Sequence, residues 1–237
     1  MTRIDGRSVR DLRDVKVETG FIDQAPESVL FSMGRTKVLC TATVSEGVPK
    51  WLENRLPPQG WVTAEYSLLP RSTSTRTNRE RRGAGGRTQE IQRLIGRSLR
   101  AGIDMGRLGA RSVIVDCDIL EADGGTRTAS VTGGWIALAR AIKGLRDSGK
   151  LRKDPLLSPV AAVSVGLVDG EALLDLCYEE DSVADVDMNV VMNGVGDMIE
   201  VQATAEGEAF SREQLEELLD LSSEGIAALV QIQKDHV

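Results

Sequence analysis

The sequence is poor in several of the residues that enzymes commonly use. It has one histidine, His236, one residue from the C-terminus. That argues against a mechanism built on a histidine base and against histidine-ligated zinc. Three cysteines, Cys40, Cys117 and Cys177, lie in apolar, strand-like segments (KVLCTATV, VIVDCDIL, LLDLCYEE). An odd number in such settings reads as buried thiols, not disulfides, and no two have metal-ligand spacing. Aromatic residues make up only 3%, so the core must be aliphatic. No apolar run approaches the roughly 18 residues of a membrane span. The N-terminal MTRIDGRSVRDLRDVK is charged from residue 3 and lacks an apolar signal region, so a cytoplasmic protein is expected.

Positive charge is scarce overall but not locally. The net charge is −7. Residues 71–100 nevertheless hold nine arginines (71, 76, 79, 81, 82, 87, 93, 97 and 100), no lysine, and two acids, Glu80 and Glu90. This stretch carries +7, which leaves −14 on the rest. A basic field on an acidic body can select a polyanion without making the whole surface adhesive. Guanidinium groups also bind phosphate oxygens as a bidentate fork. A charge run alone is more often a solvated or subunit-contacting loop. Here LPRSTSTRTNRERRGAGGR is long and rich in Ser, Thr, Asn and Gly. Loops of that length are uncommon unless functional or disordered.

Periodicity predicts strands near 13–22, 28–33 and 36–45, with a turn at Met33-Gly34-Arg35, and another in WVTAEYSLL. A helix over about 89–105 is predicted with Thr88 as cap. Ile91, Leu94, Ile95 and Leu99 share one face of it, and Arg93, Arg97 and Arg100 another. RSVIVDCDIL reads as a buried strand. TASVTGGWIALARAIKGL reads as a helix ended by Ser148-Gly149, its Gly133-Gly134 pair marking close helix–sheet contact. Four short strands follow over 158–205. A final helix is capped by a Ser211/Gln214 box. The succession predicts a single α+β domain over 1–237, with helices packed on mixed sheet.

Two motifs carry chemistry. EADGGTRTAS (121–130) places two glycines and one arginine between a strand and a helix. This is either a tight turn or an anion site at a helix N-terminus. EEDSVADVDMN (179–189) alternates, with Ala184, Val186 and Met188 facing the core and Asp185, Asp187 and Asn189 on the other face. On one straight strand Asp181 and Asp187 would stand roughly 20 Å apart. If EEDSVA is a hairpin turn they approach each other, and two carboxylates suit Mg²⁺ with phosphate partners. An exposed acidic turn is the plain alternative.

Longer stretches are more specific. RIDGRSVRDLR, SVLFSMGRTKVLCTATV, LPRSTSTRTNRE, GRTQEIQRLIGRSLRA, DCDILEADGGTRTASVTG and LDLCYEEDSVADVDMNVVM together closely resemble the bacterial ribonuclease PH family, in order, over about residues 1–232. The resemblance implies a ribosomal protein S5 domain 2-like fold. It also implies a phosphorolytic 3′→5′ exoribonuclease that trims tRNA precursors with inorganic phosphate, releases nucleoside diphosphates, and runs in reverse. The family forms a homohexamer, a trimer of dimers. Carried over, Arg87, Gly125, Thr126 and Arg127 are expected to bind phosphate. Asp181 and Asp187 are expected to serve catalysis and Mg²⁺. Arg71, Arg76 and Arg79 are expected to hold RNA, with Arg81 and Arg82 left open. Two other readings compete. A non-catalytic RNA-binding subunit of an exosome-like ring would have lost these site residues. A small-molecule kinase would show a Walker-type pattern, which is absent.

Overall fold

The computed structural model describes residues 3–25 and 27–237. Met1 and Thr2, at the head of the charged N-terminal run, and Pro26, in front of the second expected strand, lie outside the described residues.

Two sheets enclose a central helix. Strands β1 (Val15–Thr19), β2 (Glu27–Met33), β3 (Thr36–Glu46), β4 (Trp61–Leu68) and β5 (Arg111–Glu121) form one, in the order β1-β2-β3-β5-β4. Its β4–β5 pair is parallel and the other pairs are antiparallel. Strands β6 (Val160–Val168), β7 (Glu171–Leu174), β8 (Val186–Asn193) and β9 (Met198–Ala205) form an antiparallel sheet ordered β7-β6-β8-β9. Helix α1 (Gly86–Ala101) packs on β4, and a short α2 (Met105–Leu108) leads into β5. Helix α3 (Thr126–Asp147) lies against β2, β3 and β5 on one side and β6 on the other. Helix α5 (Arg212–Asp235) covers β6, β7 and β8. The expected α+β architecture of mixed sheet and helices is therefore present.

The residues explain the layering. Helix α3 is buried continuously from Thr128 to Ala139, so it has no polar face. A helix apolar all round belongs inside. Gly133 and Gly134 permit the contact, because a Cβ on the first would lie 2.7 Å from the Cβ of Phe31 and one on the second 3.2 Å from Val115. Strand β6 is buried at every position, as expected of a strand covered on both faces. Cys40 and Cys117 face each other across β3 and β5, their sulfurs 4.0 Å apart and both free. The Cys117 hydrogen bond and burial push the Cys40 thiol well up.

Three local expectations are corrected. Thr88 does not cap α1. The helix starts three residues earlier, at Gly86 with Gly85 as its cap, and the Thr88 hydroxyl donates to Glu80. Glycines at 85 and 86 let the chain enter the helix without a capping side chain. Cys177 is not on a strand, because β7 ends at Leu174 and the backbone turns left-handed at Asp175 (φ 55°). EEDSVA is not a hairpin turn, because β7 and β8 flank β6 on opposite sides. The chain instead crosses the end of β6 through one helical turn, α4 (Tyr178–Asp181). The Ser211/Gln214 capping box on α5 is present as expected.

Candidate active site

The strand β5 runs out at Glu121, and two consecutive left-handed glycines, Gly124 (φ 74°) and Gly125 (φ 62°), redirect the chain into α3. The turn admits no side chain at 124, where a Cβ would stand 2.5 Å from the Leu176 carbonyl oxygen. Its carbonyls are engaged from behind. Arg13 donates to the Asp123 oxygen, Thr36 to Gly124 at 2.7 Å, and Thr128 to Gly125 at 2.9 Å. No side chain caps α3, and no acid occupies its first turn. A 22-residue helix thus presents its positive end without a built-in partner.

A cleft of roughly 570 Å³ opens onto that end. Arg87, Gly125, Thr126, Arg127, Asp181 and Asp187 all line it. These six are the residues expected to serve phosphate and catalysis, and they come from α1, the β5–α3 turn, the first turn of α3, α4 and β8. Arg127 reaches Gln202 at 3.1 Å and Glu90 at 3.4 Å, which hold its guanidinium across the gap between the sheets. Thr126 shares a hydrogen bond of 2.9 Å with the Tyr66 hydroxyl. Burial raises the Tyr66 phenol, against the opposing pull of that bond and of Arg87 and Arg127.

The aspartates meet although β7 and β8 do not pair. Asp187 stands on β8 opposite Gly166 of β6, and Asp181 ends the α4 turn that crosses there. Both are partly buried. Burial pushes Asp181 above the ordinary carboxylate value, with Arg87 and Arg127 pulling the other way. Burial and then the charge of Asp181 push Asp187 to about 6. Two half-buried carboxylates that repel each other form a site that a divalent cation would relieve. Among the described residues no group of three or more His, Cys, Asp and Glu side chains is arranged to hold a metal. A cation here would therefore keep most of its waters, as Mg²⁺ commonly does.

The loop arginines lie apart from these six. Residues 69–85 form neither helix nor strand, and Arg71, Arg76, Arg79, Arg81 and Arg82 are exposed. Arg71 and Arg76 line an adjoining groove. Of the helical arginines, Arg100 turns inward, 4.4 Å over the Trp61 ring and 2.9 Å from the Val62 oxygen.

Several residues of the cleft, and one that supports its turn from behind, escaped the sequence reading. Tyr66 alternates with buried Val62 and Ala64, so its period fits plain core. Ser164 is buried, lines the cleft and has no hydrogen-bond partner at its hydroxyl. It sits in a continuous apolar strand with nothing local to distinguish it. Arg13 is buried against Asp175, with contacts at 2.9 and 2.6 Å, and carries a raised pKa: burial opposes its charge, but Asp175 outweighs it. Their partners are 162 positions apart, beyond any local pattern.

The chain is similar to known proteins over nearly its whole length. The profile of the 3′ exoribonuclease family matches as domain 1 over residues 11–143 and as domain 2 over residues 158–225. The chain is 56% identical over 236 residues to a Moorella thermoacetica protein named ribonuclease PH, covering 99% of this chain and 94% of that one. Solved structures share the fold. The Archaeoglobus fulgidus exosome with RNA bound to the active site aligns at 24% identity and TM-score 0.80, over 97% of this chain and 91% of the other. Rice (Oryza sativa) Rrp46 aligns at 19% identity and TM-score 0.76, over 98% and 97%.

Proposed function

The chain belongs to the 3′ exoribonuclease family, and we infer that within it the protein is a ribonuclease PH. It is a phosphorolytic 3′→5′ exoribonuclease that trims nucleotides from the 3′ end of tRNA precursors, and it can add them in reverse. One observation carries the mechanistic reading: an uncapped helix N-terminus, two arginines and two electrostatically strained carboxylates converge on one cleft. The non-catalytic alternative is weaker, because a subunit that only bound RNA would have no use for that convergence.

Inorganic phosphate at neutral pH is already an anionic nucleophile, so no water need be deprotonated and no histidine is required. Arg87 and Arg127 hold the attacking anion by charge and fork geometry. The amides around Gly125 and Thr126 add donors, favoured by the α3 dipole. A phosphate oxygen attacks the last phosphodiester, the bond to the 3′ oxygen breaks, and a nucleoside diphosphate leaves. One phosphate linkage replaces another, which suits a reversible reaction. The protein's part is positioning and charge stabilisation. Asp181 and Asp187 would hold Mg²⁺ between them, and the cation, when bound, supplies charge neutralisation at the scissile phosphate and the leaving oxygen. One of the two aspartates could instead deliver the proton that the 3′ oxygen takes up.

RNA is held through its backbone by Arg71, Arg76 and Arg79. One subunit offers a small basic surface, so a homohexameric ring, built as a trimer of dimers, would concentrate these loops on the substrate. A cytoplasmic setting fits three free, buried cysteines, and among the described residues no helix is long and apolar enough to cross a membrane.

The test is Arg127→Ala. Phosphate-dependent turnover should fall by about 10²–10³-fold, while RNA affinity changes less than about threefold. Equal losses in both would remove Arg127 from the phosphate site.

A further inference from the structure

A second concavity of about 820 Å³ adjoins the cleft, lined by Arg35, Arg71, Thr73, Thr75, Arg76 and Tyr178. Tyr178, Thr73 and Ala122 line both spaces, so they form the neck between them. Tyr178 is 60% exposed. In a chain with only two tyrosines, the other being buried at Thr126, a ring left in water at this neck has no packing role. Beside it Val183 is also exposed and lines the cleft. The turn thus shows an apolar rim to a space otherwise edged by charge.

The spacing on α4 gives the ring a direction. Tyr178 and Asp181 are three residues apart on one helical turn, so their side chains share a face with Cβ atoms about 5–6 Å apart. A nucleotide seated in the cleft beside Asp181 would have its own base, or its neighbour's, within reach of Tyr178. The groove beyond is suited to a backbone. Arg71 and Arg76 each spend one nitrogen on a local acceptor, the Ser74 oxygen and the Asn78 side chain, and both remain exposed. The acids that border the groove are largely occupied. Glu121 pairs with Lys37 at 2.9 Å and Arg35 at 3.6 Å, and Asp123 lies 4.0 Å from Arg13. Glu179 is the remaining one.

We propose that Tyr178 is a base-stacking platform for the 3′ end of single-stranded RNA, and that the arginine-lined groove seats the backbone just upstream of it. The proposal rests on the functional reading above. It makes Tyr178 a specificity-determining residue, because a purine offers a ring more stacking area than a pyrimidine. Stacking of one base on an aromatic side chain corresponds to about 5- to 150-fold in affinity.

The experiment uses short RNAs carrying 2-aminopurine at successive positions from the 3′ end, added to the full-length protein without phosphate. Stacking on Tyr178 should quench fluorescence at one position. Tyr178→Ala should abolish that quenching, raise the KM for RNA within the range above and level the rates for purine and pyrimidine ends. Tyr178→Phe should retain all three properties, and the KM for phosphate should stay within about twofold in both variants. Unchanged quenching and unchanged purine preference in Tyr178→Ala would overturn the proposal, as would a Phe variant that behaves like Ala. Failure of the wild type to release nucleoside diphosphates from RNA and phosphate would instead strike the underlying functional reading.

Discussion

Glu180 and Asp181 are consecutive residues of one helical turn, and their surroundings are opposite. Glu180 is buried against Arg3, with guanidinium contacts at 2.8 and 2.5 Å, and accepts from the Cys177 amide at 3.1 Å. Burial acts to raise its pKa, but Arg3, the amide and Arg7 outweigh it and hold the carboxyl below the ordinary range. Asp181 receives no such partner. Burial outweighs the pull of Arg87 and Arg127 on it, and burial with the charge of Asp181 raises Asp187 to about 6. One side of α4 is a fully paired network, continued by Arg7, Arg13 and Asp175. The other side holds two carboxylates whose charge the fold does not neutralise. The contrast separates acids that the fold pairs from acids that it leaves strained, a distinction that charge counts cannot make. It also shows how the two are joined, since the paired network fixes the backbone that carries the unpaired carboxylates.

The comparison can be broken most forcefully at Asp187. Asp187→Ala or Asp181→Ala should lower phosphorolysis by at least about 10²-fold. The fold should survive, because what is lost is at most a weak contact, from the Asn189 amide nitrogen to Asp187 at 3.5 Å. Chemical denaturation beside a turnover assay checks this, and a parallel collapse of stability would merge the two sides of the turn into one. Next in size is Glu180→Ala, which strands Arg3 in the interior. It should cost about 3–5 kcal/mol of stability, read from urea unfolding. An effect below about 1 kcal/mol would contradict the view that this side is the structural one.

Titration sharpens the contrast with opposite signs. Glu180 has a folded pKa below its unfolded value. Its stabilisation is present above that unfolded value and is lost as pH falls through the folded one. Asp187 has a folded pKa above its unfolded value, so its contribution is present at low pH and is lost as pH rises through about 6. In metal-free protein, wild type should therefore lose stability relative to Asp187→Asn between about pH 4 and 6 and run parallel to it above that. Glu180→Gln should track wild type down to about pH 4.5, with its deficit shrinking only below that. Melting curves at several pH values decide it. The smallest effect is Ser164→Ala. Its hydroxyl is buried without a partner, so removal should leave stability within about 0.5 kcal/mol or raise it. A loss above about 1 kcal/mol would show that the hydroxyl is engaged.

Much of the fold was legible because periodicity tracks burial. Ile91, Leu94, Ile95 and Leu99 form the buried face of α1, and Ala184, Val186 and Met188 point inward. Gly133-Gly134 marked the close approach of α3 to the sheet. The six cleft residues were named through long motifs, and the anion-binding turn could be argued from glycine and helix chemistry alone. What stayed hidden was tertiary. No pattern in EEDSVA reveals that its flanking strands straddle β6, so a hairpin was the simplest way to join the two aspartates. Thr88 has the chemistry of a cap, but glycines upstream let the helix begin earlier. The Arg3, Arg7 and Arg13 partners lie more than 160 residues away, where pairing depends on the finished fold.

The central claim is that the cleft uses inorganic phosphate as the nucleophile on an RNA 3′ end. A short RNA should be incubated with the protein and Mg²⁺, with and without phosphate, and the mononucleotide products separated. Nucleoside diphosphates formed only when phosphate is present, and lost in Asp187→Ala, are the expected result. Nucleoside monophosphates released in the absence of phosphate would make the protein a hydrolase and contradict the account.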